Sequence, residues 1–248
     1  MNNIGVIGLS VMGMNLALNM ADKGYKVSIY NRTTSVVADV MRDHGHKNFT
    51  PTYDLEDFVK SLERPRRVFL MIKSGKPIDM VIDQLMGLLD EGDIIIDGGN
   101  SYFKDTIRRS NYLEDKKINY LGVGISGGEE GARFGPAIMP SGNKEAYGHV
   151  KDIFENISAK AYGEACCKYI STGGSGHYVK MVHNGIEYGD MQLISEAYML
   201  LRDIGGMDNS KIQEVFEAWN KTELESYLIE ITANILKVKE ADGSYLVD

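Results

Sequence analysis

Residues 3–13 read Asn3-Ile4-Gly5-Val6-Ile7-Gly8-Leu9-Ser10-Val11-Met12-Gly13, and the fold turns on them. A short, continuous apolar run ends in glycine and passes straight into a helix-forming stretch. Strands of this kind, apolar throughout rather than alternating, suit a sheet covered on both faces. The turn Gly8–Gly13 has the form of a dinucleotide fingerprint. The first glycine makes the tight turn, and the last lets helix and strand pack closely. The helix N-terminus then offers unbonded N–H groups and a favourable dipole to a pyrophosphate. Ser10 stands where the middle glycine is usual, so the motif is degraded and is also compatible with a plain strand–helix turn. Gly8, Leu9, Ser10, Val11, Met12 and Gly13 are the candidate cofactor-binding turn.

The pattern repeats along the chain. A helix is predicted over 13–23 with Gly24 as its stop, then a strand at Val27–Tyr30, then helices over 35–44 and 54–61. Further strands follow at 67–71, 93–97, 118–123 and 137–140, with a helix opened by Pro77 and another over 144–156. Strands and helices alternating at this spacing predict parallel βαβ units, a Rossmann-like doubly wound α/β sheet. After residue 172 the pattern becomes wholly helical. One long helix is predicted over 176–204, a second over 210–220, and a third opened by a capping box at Thr222–Glu225 and running to about Glu240. A polar turn at 241–244 follows. The expected organisation is a nucleotide domain at 1–172 and the beginning of a helical substrate and dimerisation domain at 173–248, which reads as a domain cut short.

Composition narrows the function. The 248 residues carry a net charge of −8, 43% hydrophobic and 25% charged residues, the profile of an acidic soluble protein. Non-specific nucleic-acid or membrane-surface binding has no electrostatic support. The two cysteines, Cys166 and Cys167, are adjacent and have neither disulfide nor metal-ligand spacing. The N-terminus shows no basic-then-apolar leader, and no apolar run nears the ~20 residues of a membrane span. The expected compartment is the cytoplasm.

Four loops and one helix carry the candidate chemistry. After the second strand stands Asn31-Arg32-Thr33, where NAD-binding folds usually place a carboxylate for the ribose 2′-hydroxyl. A guanidinium and two neutral hydrogen-bonding groups suit a 2′-phosphate, so NADP is the expected cofactor. Ile72-Lys73-Ser74 follows the third strand and Gly98-Gly99-Asn100-Ser101 the fourth, both at carboxyl ends that line the ligand crevice of an open α/β sheet. Asn100 sits beside paired glycines that allow close approach to a ligand. Ser126-Gly127-Gly128, after the fifth strand, offers a hydroxyl and backbone N–H groups to an anion, or is simply a flexible glycine loop. On the long helix, Lys180, His183, Asn184 and Glu187 are spaced i, i+3, i+4 and i+7 and share one face, with Tyr188 one position on. A solvated, ion-paired face would read the same way. Against it stand the poor helix formers His and Asn, the apolar flanks Val179, Met181, Val182 and Ile186, and a glycine-rich start suited to a helix approaching a ligand.

These motifs, in order over the whole chain, resemble the 6-phosphogluconate dehydrogenase family. The segment Gly176-His177-Tyr178-Val179-Lys180-Met181-Val182-His183-Asn184-Gly185-Ile186-Glu187-Tyr188 is the most specific of them. The resemblance implies NADP-dependent oxidative decarboxylation of a phosphorylated sugar acid, with Lys180 the general base and Glu187 the general acid. It further implies that Ser126, Gly127, Gly128, His183, Asn184 and Tyr188 contact the substrate, and that Asn100 touches both substrate and cofactor. Met12 and the Ile72, Lys73, Ser74 loop then lie toward the nicotinamide. A neutral lysine accepts the C3 hydroxyl proton as that carbon is oxidised, the β-keto acid loses CO₂, and Glu187 supplies a proton to C1. No metal is required, because the keto group accepts the electrons of decarboxylation. Family chains continue well beyond Asp248, supplying a lysine, a threonine and an arginine for the substrate phosphate and a tail that reaches a partner subunit, so the complete protein is expected to be a homodimer. The alternatives are a related β-hydroxyacid dehydrogenase and, for these residues alone, a non-catalytic NADP-binding module.

Overall fold

The computed structural model describes residues 1–247. β1 (Ile4–Ile7) passes through the glycine turn into α1 (Val11–Asp22), which Gly24 ends with φ +92°. β2 (Val27–Tyr30) leads to α2 (Thr34–His44), then a short strand β3 (Phe49–Pro51). α3 (Leu55–Lys60) is capped by Asp54, whose carboxylate accepts from the Asp57 amide at 2.7 Å. β4 (Arg67–Leu70), α4 (Lys76–Leu85), β5 (Ile94–Asp97), α5 (Phe103–Glu114) and β6 (Asn119–Ser126) continue the alternation. α6 (Gly128–Phe134) and β7 (Ala137–Gly142) follow, then α7 (Lys144–Gly148), α8 (Lys151–Ile157) and a hairpin of β8 (Lys160–Ala161) with β9 (Glu164–Ala165).

Seven strands form one sheet in the order β3-β2-β1-β4-β5-β6-β7. The pairs from β3 to β6 are parallel, and β7 closes the edge antiparallel to β6. Alternate residues of each central strand enter opposite cores, as the pleat requires. Phe69, Ile94, Ile96, Leu121 and Val123 join the core with Leu16, Met20 and Phe154, from α1 and α8. Val68, Leu70, Ile95 and Tyr120 join the other, with Phe58, Ile82 and Leu113, from α3, α4 and α5. Burial on both faces is why the strands read as unbroken apolar runs. The strand order reverses between β1 and β4, whose carboxyl ends carry Gly8 and Ile72, and a crevice opens there.

Beyond the sheet, α9 (Ser175–Met199) runs into a π-helical turn, Leu200–Ile204, and α10 (Asn209–Trp219) and α11 (Tyr227–Ile235) follow. The chain divides into two compact units, Met1–Val182 and a second from His183 on. The second has its own small core of Ile212, Phe216, Ile229, Ala233 and Leu236. Among the described residues no helix is long and apolar enough to cross a membrane.

Several sequence expectations need correction. β3 was not expected: three residues, Phe-Thr-Pro, give too short an apolar signal, and Pro51 is tolerated because this is an edge strand. α5 was missed because its residues are mostly polar, with only Thr106, Arg109 and Leu113 buried. The segment expected as one helix over 144–156 is two, broken at His149-Val150. The capping box at Thr222 does not form. Its hydroxyl donates to the Trp219 carbonyl at 2.7 Å and accepts the Leu224 amide at 3.2 Å within a turn. Ser226 caps α11 instead, accepting the Ile229 amide at 3.2 Å, and the helix ends at Ile235, short of Glu240.

Candidate active site

The glycine turn is built by exclusion. Gly8 has φ +98°, and a Cβ there would meet the Met71 carbonyl oxygen at 2.4 Å. A Cβ on Gly13 would fall 1.9 Å from the Gly8 carbonyl oxygen, so only glycine lets α1 start this close to β1. Ser10 is the N-cap residue in extended conformation, and its side chain makes no cap hydrogen bond. The first-turn amides of α1 therefore lack intrahelical partners and point outward from the turn. Asn31 braces this loop: its carbonyl oxygen accepts the Leu9 amide at 3.2 Å and its NH₂ donates to the Thr33 carbonyl at 3.0 Å. The Asn31 amide is thus largely spent on shaping the backbone, leaving Arg32 and Thr33 exposed beside it.

A cleft of about 340 Å³ opens at the β1/β4 switch point. It brings together Gly8, Asn31, Arg32 and Thr33 from one side and Ile72 and Lys73 from the other. Its wall is completed by Pro77, Met80, Val81 and Gln84, which sequence reasoning did not single out. Their i, i+3, i+4 and i+7 spacing on a helix opened by proline was the available signal. The lining contains two cations and no carboxylate, a field that favours an anionic ligand and admits a phosphate.

The loop after β5 hangs on Asp97, which is fully buried. Its carboxylate accepts from the Gly99 amide at 3.1 Å, the Ser101 hydroxyl at 2.7 Å and the Tyr120 hydroxyl at 2.8 Å. Burial, reinforced by Asp97, holds the Tyr120 phenol well above its ordinary pKa, so it remains a donor. A Cβ on Gly99 would lie 3.0 Å from the Ile72 carbonyl oxygen, which puts the two crevice loops in contact. Asn100, at the tip, is exposed.

Ser126-Gly127-Gly128 forms the turn between β6 and α6. Gly127 (φ +133°) and Gly128 (φ +60°) turn β6 directly into α6.

The glycines that open α9 serve packing. A Cβ on Gly174 would meet the Phe103 carbonyl oxygen at 2.4 Å, and one on Gly176 the Met139 carbonyl oxygen at 2.1 Å. They seat the helix on α5, β6 and β7, a packing reason for glycine that the sequence reading did not include. His177 is buried, with Nδ1 2.7 Å from the Thr106 hydroxyl. Burial lowers its pKa, only partly offset by the Asp97 carboxylate, and the ring stays neutral. One turn on, Lys180 is buried too, and a Cβ on Gly124 of β6 would lie 2.6 Å from its Cβ. Gly122 and Gly124 are thus the seats of His177 and Lys180. In the second unit, His183 and Tyr188 are exposed and Asn184 and Glu187 half-buried, with His183 Nδ1 3.6 Å from a Glu187 carboxylate oxygen.

Comparison with known proteins places this arrangement. The family model described as the NAD binding domain of 6-phosphogluconate dehydrogenase matches residues 3–171, and the model of that enzyme's C-terminal domain matches residues 176–248. The decarboxylating 6-phosphogluconate dehydrogenase of Lactococcus lactis subsp. lactis is 56% identical, over 99% of this chain and 53% of its own length. The Ovis aries protein of the same name is 53% identical, over 99% of this chain and 50% of its own length. A solved Plasmodium falciparum 6-phosphogluconate dehydrogenase, described in apo form and in complexes with NADP+ and with 6-phosphogluconate, superposes with a TM-score of 0.94 at 47% identity. That superposition covers 99% of this chain and 53% of the Plasmodium chain. A Salmonella typhimurium 3-hydroxyisobutyrate dehydrogenase shares the fold, with a TM-score of 0.73 at 18% identity, over 93% of this chain and 76% of its own. The chain spans about half the length of the curated relatives it matches. With both family models aligned end to end along it and its glycine turn, crevice and buried helix lysine in place, the chain belongs to the 6-phosphogluconate dehydrogenase family.

Proposed function

We propose that this chain supplies the NADP-binding and catalytic-helix half of an enzyme that converts 6-phosphogluconate to ribulose 5-phosphate and CO₂. The observation that carries this reading is the buried Lys180, seated on Gly124 near the carboxyl end of β6. His183, Asn184 and Glu187 follow it on the same helix at +3, +4 and +7. We take the helical substrate domain to begin at residue 173.

The residues fit NADP. Glycines at positions 8 and 13, where any Cβ would strike backbone, let a pyrophosphate approach the α1 amides, and Arg32 with Thr33 suits a 2′-phosphate. Gly8, Leu9, Ser10, Val11, Met12, Gly13, Asn31, Arg32, Thr33, Ile72, Lys73, Ser74 and Asn100 form the cofactor site in this reading. When bound, NADP supplies the acceptor for the hydride from substrate C3. Lys180 takes the C3 hydroxyl proton, and the resulting β-keto acid sheds CO₂ with its electron pair passing to the keto group. Glu187 then gives a proton to C1 of the enediol, and the removal or delivery of such protons contributes ~10²–10⁴ in rate. Ser126, Gly127, Gly128, His183, Asn184 and Tyr188, with Asn100, orient the sugar acid. The same reading makes the complete protein a cytoplasmic homodimer, in keeping with the two free cysteines of this chain.

The test is steady-state turnover in a protein of the relatives' full length that carries this sequence. Lys180→Met should abolish oxidation with NADP affinity near normal, and Glu187→Gln should lose overall turnover. Wild-type turnover in Lys180→Met would remove the lysine from the mechanism. The chain's half-length match favours a second reading for these 248 residues alone: NADP binding with little turnover.

A further inference from the structure

We infer that Arg109 is a positioning residue that sets the spacing of the two crevice loops, Ile72–Gly75 and Asp97–Ser101. The inference rests on the proposed cofactor site. Arg109 lies on α5, is 1% exposed, and is not among the residues that line the cleft. Its guanidinium is a fork with three tines in different places. Nη2 donates to the Gly75 carbonyl at 3.0 Å, in the first loop. Nη1 lies 3.4 Å from the Ser101 hydroxyl and 3.6 Å from the Asp97 carboxylate, in the second. Nε donates to Asp79 at 2.8 Å, which fixes the plane of the group.

Stability alone does not call for such a group. A buried ion pair is commonly replaceable by an apolar side chain of similar volume without loss of stability. What an apolar side chain cannot do is hold a carbonyl of one loop and a hydroxyl of another at fixed distance. A lysine, a point charge on a flexible stem, does so poorly. The spacing has little slack, since a Cβ on Gly99 would already lie 3.0 Å from the Ile72 carbonyl oxygen. The same helix face carries Thr106, one turn before Arg109, and its hydroxyl meets His177 at 2.7 Å, three residues before Lys180. α5 is therefore a frame to which both crevice loops and the start of α9 are tied.

The experiment compares Arg109→Met, Arg109→Lys and Ile82→Val in the 248-residue chain. It measures thermal melting, NADP+ titration by calorimetry, and amide hydrogen exchange at Gly99 by NMR. Arg109→Met should weaken NADP+ binding by about tenfold, the low end of the loss seen when groups that orient metal ligands are removed. It should also speed Gly99 exchange. Arg109→Lys should shift both in the same direction, and it carries the test if Arg109→Met fails to fold. Ile82→Val truncates the neighbouring core and should lower the melting temperature with affinity and exchange unchanged. Wild-type affinity and wild-type Gly99 exchange in a folded Arg109 variant would overturn the inference. A wild-type chain that binds no NADP+ would instead overturn the cofactor reading, and the exchange measurement would still decide whether Arg109 holds the loop.

Discussion

Adding one methyl group at Gly124 should separate turnover from cofactor binding. The Gly124 backbone is outside the left-handed region, so alanine brings no dihedral strain and the effect is the clash alone. The new Cβ would lie 2.6 Å from Lys180 Cβ and 2.9 Å from the Gly176 carbonyl oxygen. Carbon atoms pack at ~3.5–4.0 Å, so Lys180 must move by about 1 Å. Neither neighbour can step aside cheaply, because one is backbone and the other is the first atom of its side chain. Overpacking of this kind costs ~1–3 kcal/mol, which in a chain of this size lowers Tm by roughly 2–4 °C for each kcal/mol. A 1 Å misplacement of a reacting group can cost ~10² in rate. Gly124 does not line the cleft at the β1/β4 switch point, so NADP affinity should stay at the wild-type value. The assay is NADPH formation in a full-length protein bearing Gly124→Ala, with calorimetric NADP titration alongside. Wild-type kcat would refute the claim that β6 seats Lys180 for the proposed reaction. An equal loss of NADP affinity would show a general distortion of the domain.

Other outcomes follow from single contacts. NADP should bind more tightly than NAD, and Arg32→Ala should narrow the gap by about 10- to 150-fold, one charge-assisted contact of ~1.5–3 kcal/mol; equal affinities in the wild type by calorimetry would exclude a 2′-phosphate site. The Asp79 carboxyl is held below its ordinary range, first by its hydrogen bond to Arg109. Its contribution to stability is therefore complete above the unfolded value near ~3.9 and lost as pH falls through the lower folded value, so Asp79→Asn should flatten the melting curve's acid limb below about pH 4. Burial pushes the Cys167 thiol up to about 11, so iodoacetamide at pH 8 should label Cys166 well before Cys167, read by peptide mass mapping. Ser226→Ala should destabilise the second unit by ~0.5–2 kcal/mol in chemical denaturation, whereas Thr222→Ala should leave α11 intact.

The sheet was legible because its central strands are buried on both faces. Ile94-Ile95-Ile96 sends alternate side chains into two separate cores, and that geometry demands the unbroken apolar run from which the strand was read. Elements that bury little were the ones missed. β3 contributes only Phe49 to the core, and α5 presents three buried residues among twelve, one of them an arginine. A periodicity search built on apolar residues passes over a helix whose buried face is Thr106 and Arg109. The capping expectation failed for a different reason. Thr222 and Ser226 both precede helix-forming residues, and a local pattern cannot tell which of two hydroxyls ends the turn and which starts the helix.

The candidate site shows the same division between direct and supporting groups. The candidate cofactor loops stood out because glycines, an arginine and asparagines recur at successive strand ends, where the crevice of an open α/β sheet lies. Their supports did not, because a buried Asp97 or Arg109 has no sequence signature apart from its neighbours in space. The glycines of β6 lie between these cases. Gly122-Val123-Gly124 interrupts an otherwise apolar strand, and a glycine inside a strand ordinarily marks close approach by another backbone or a ligand. Here α9 approaches at both, under Lys180 at Gly124 and under His177 at Gly122, where Thr106 of α5 comes closer still. The start of α9, and Lys180 with it, thus rests on two glycines whose identity carries no chemistry, so a substitution at either should alter reaction rate without removing any group assigned to the proposed reaction.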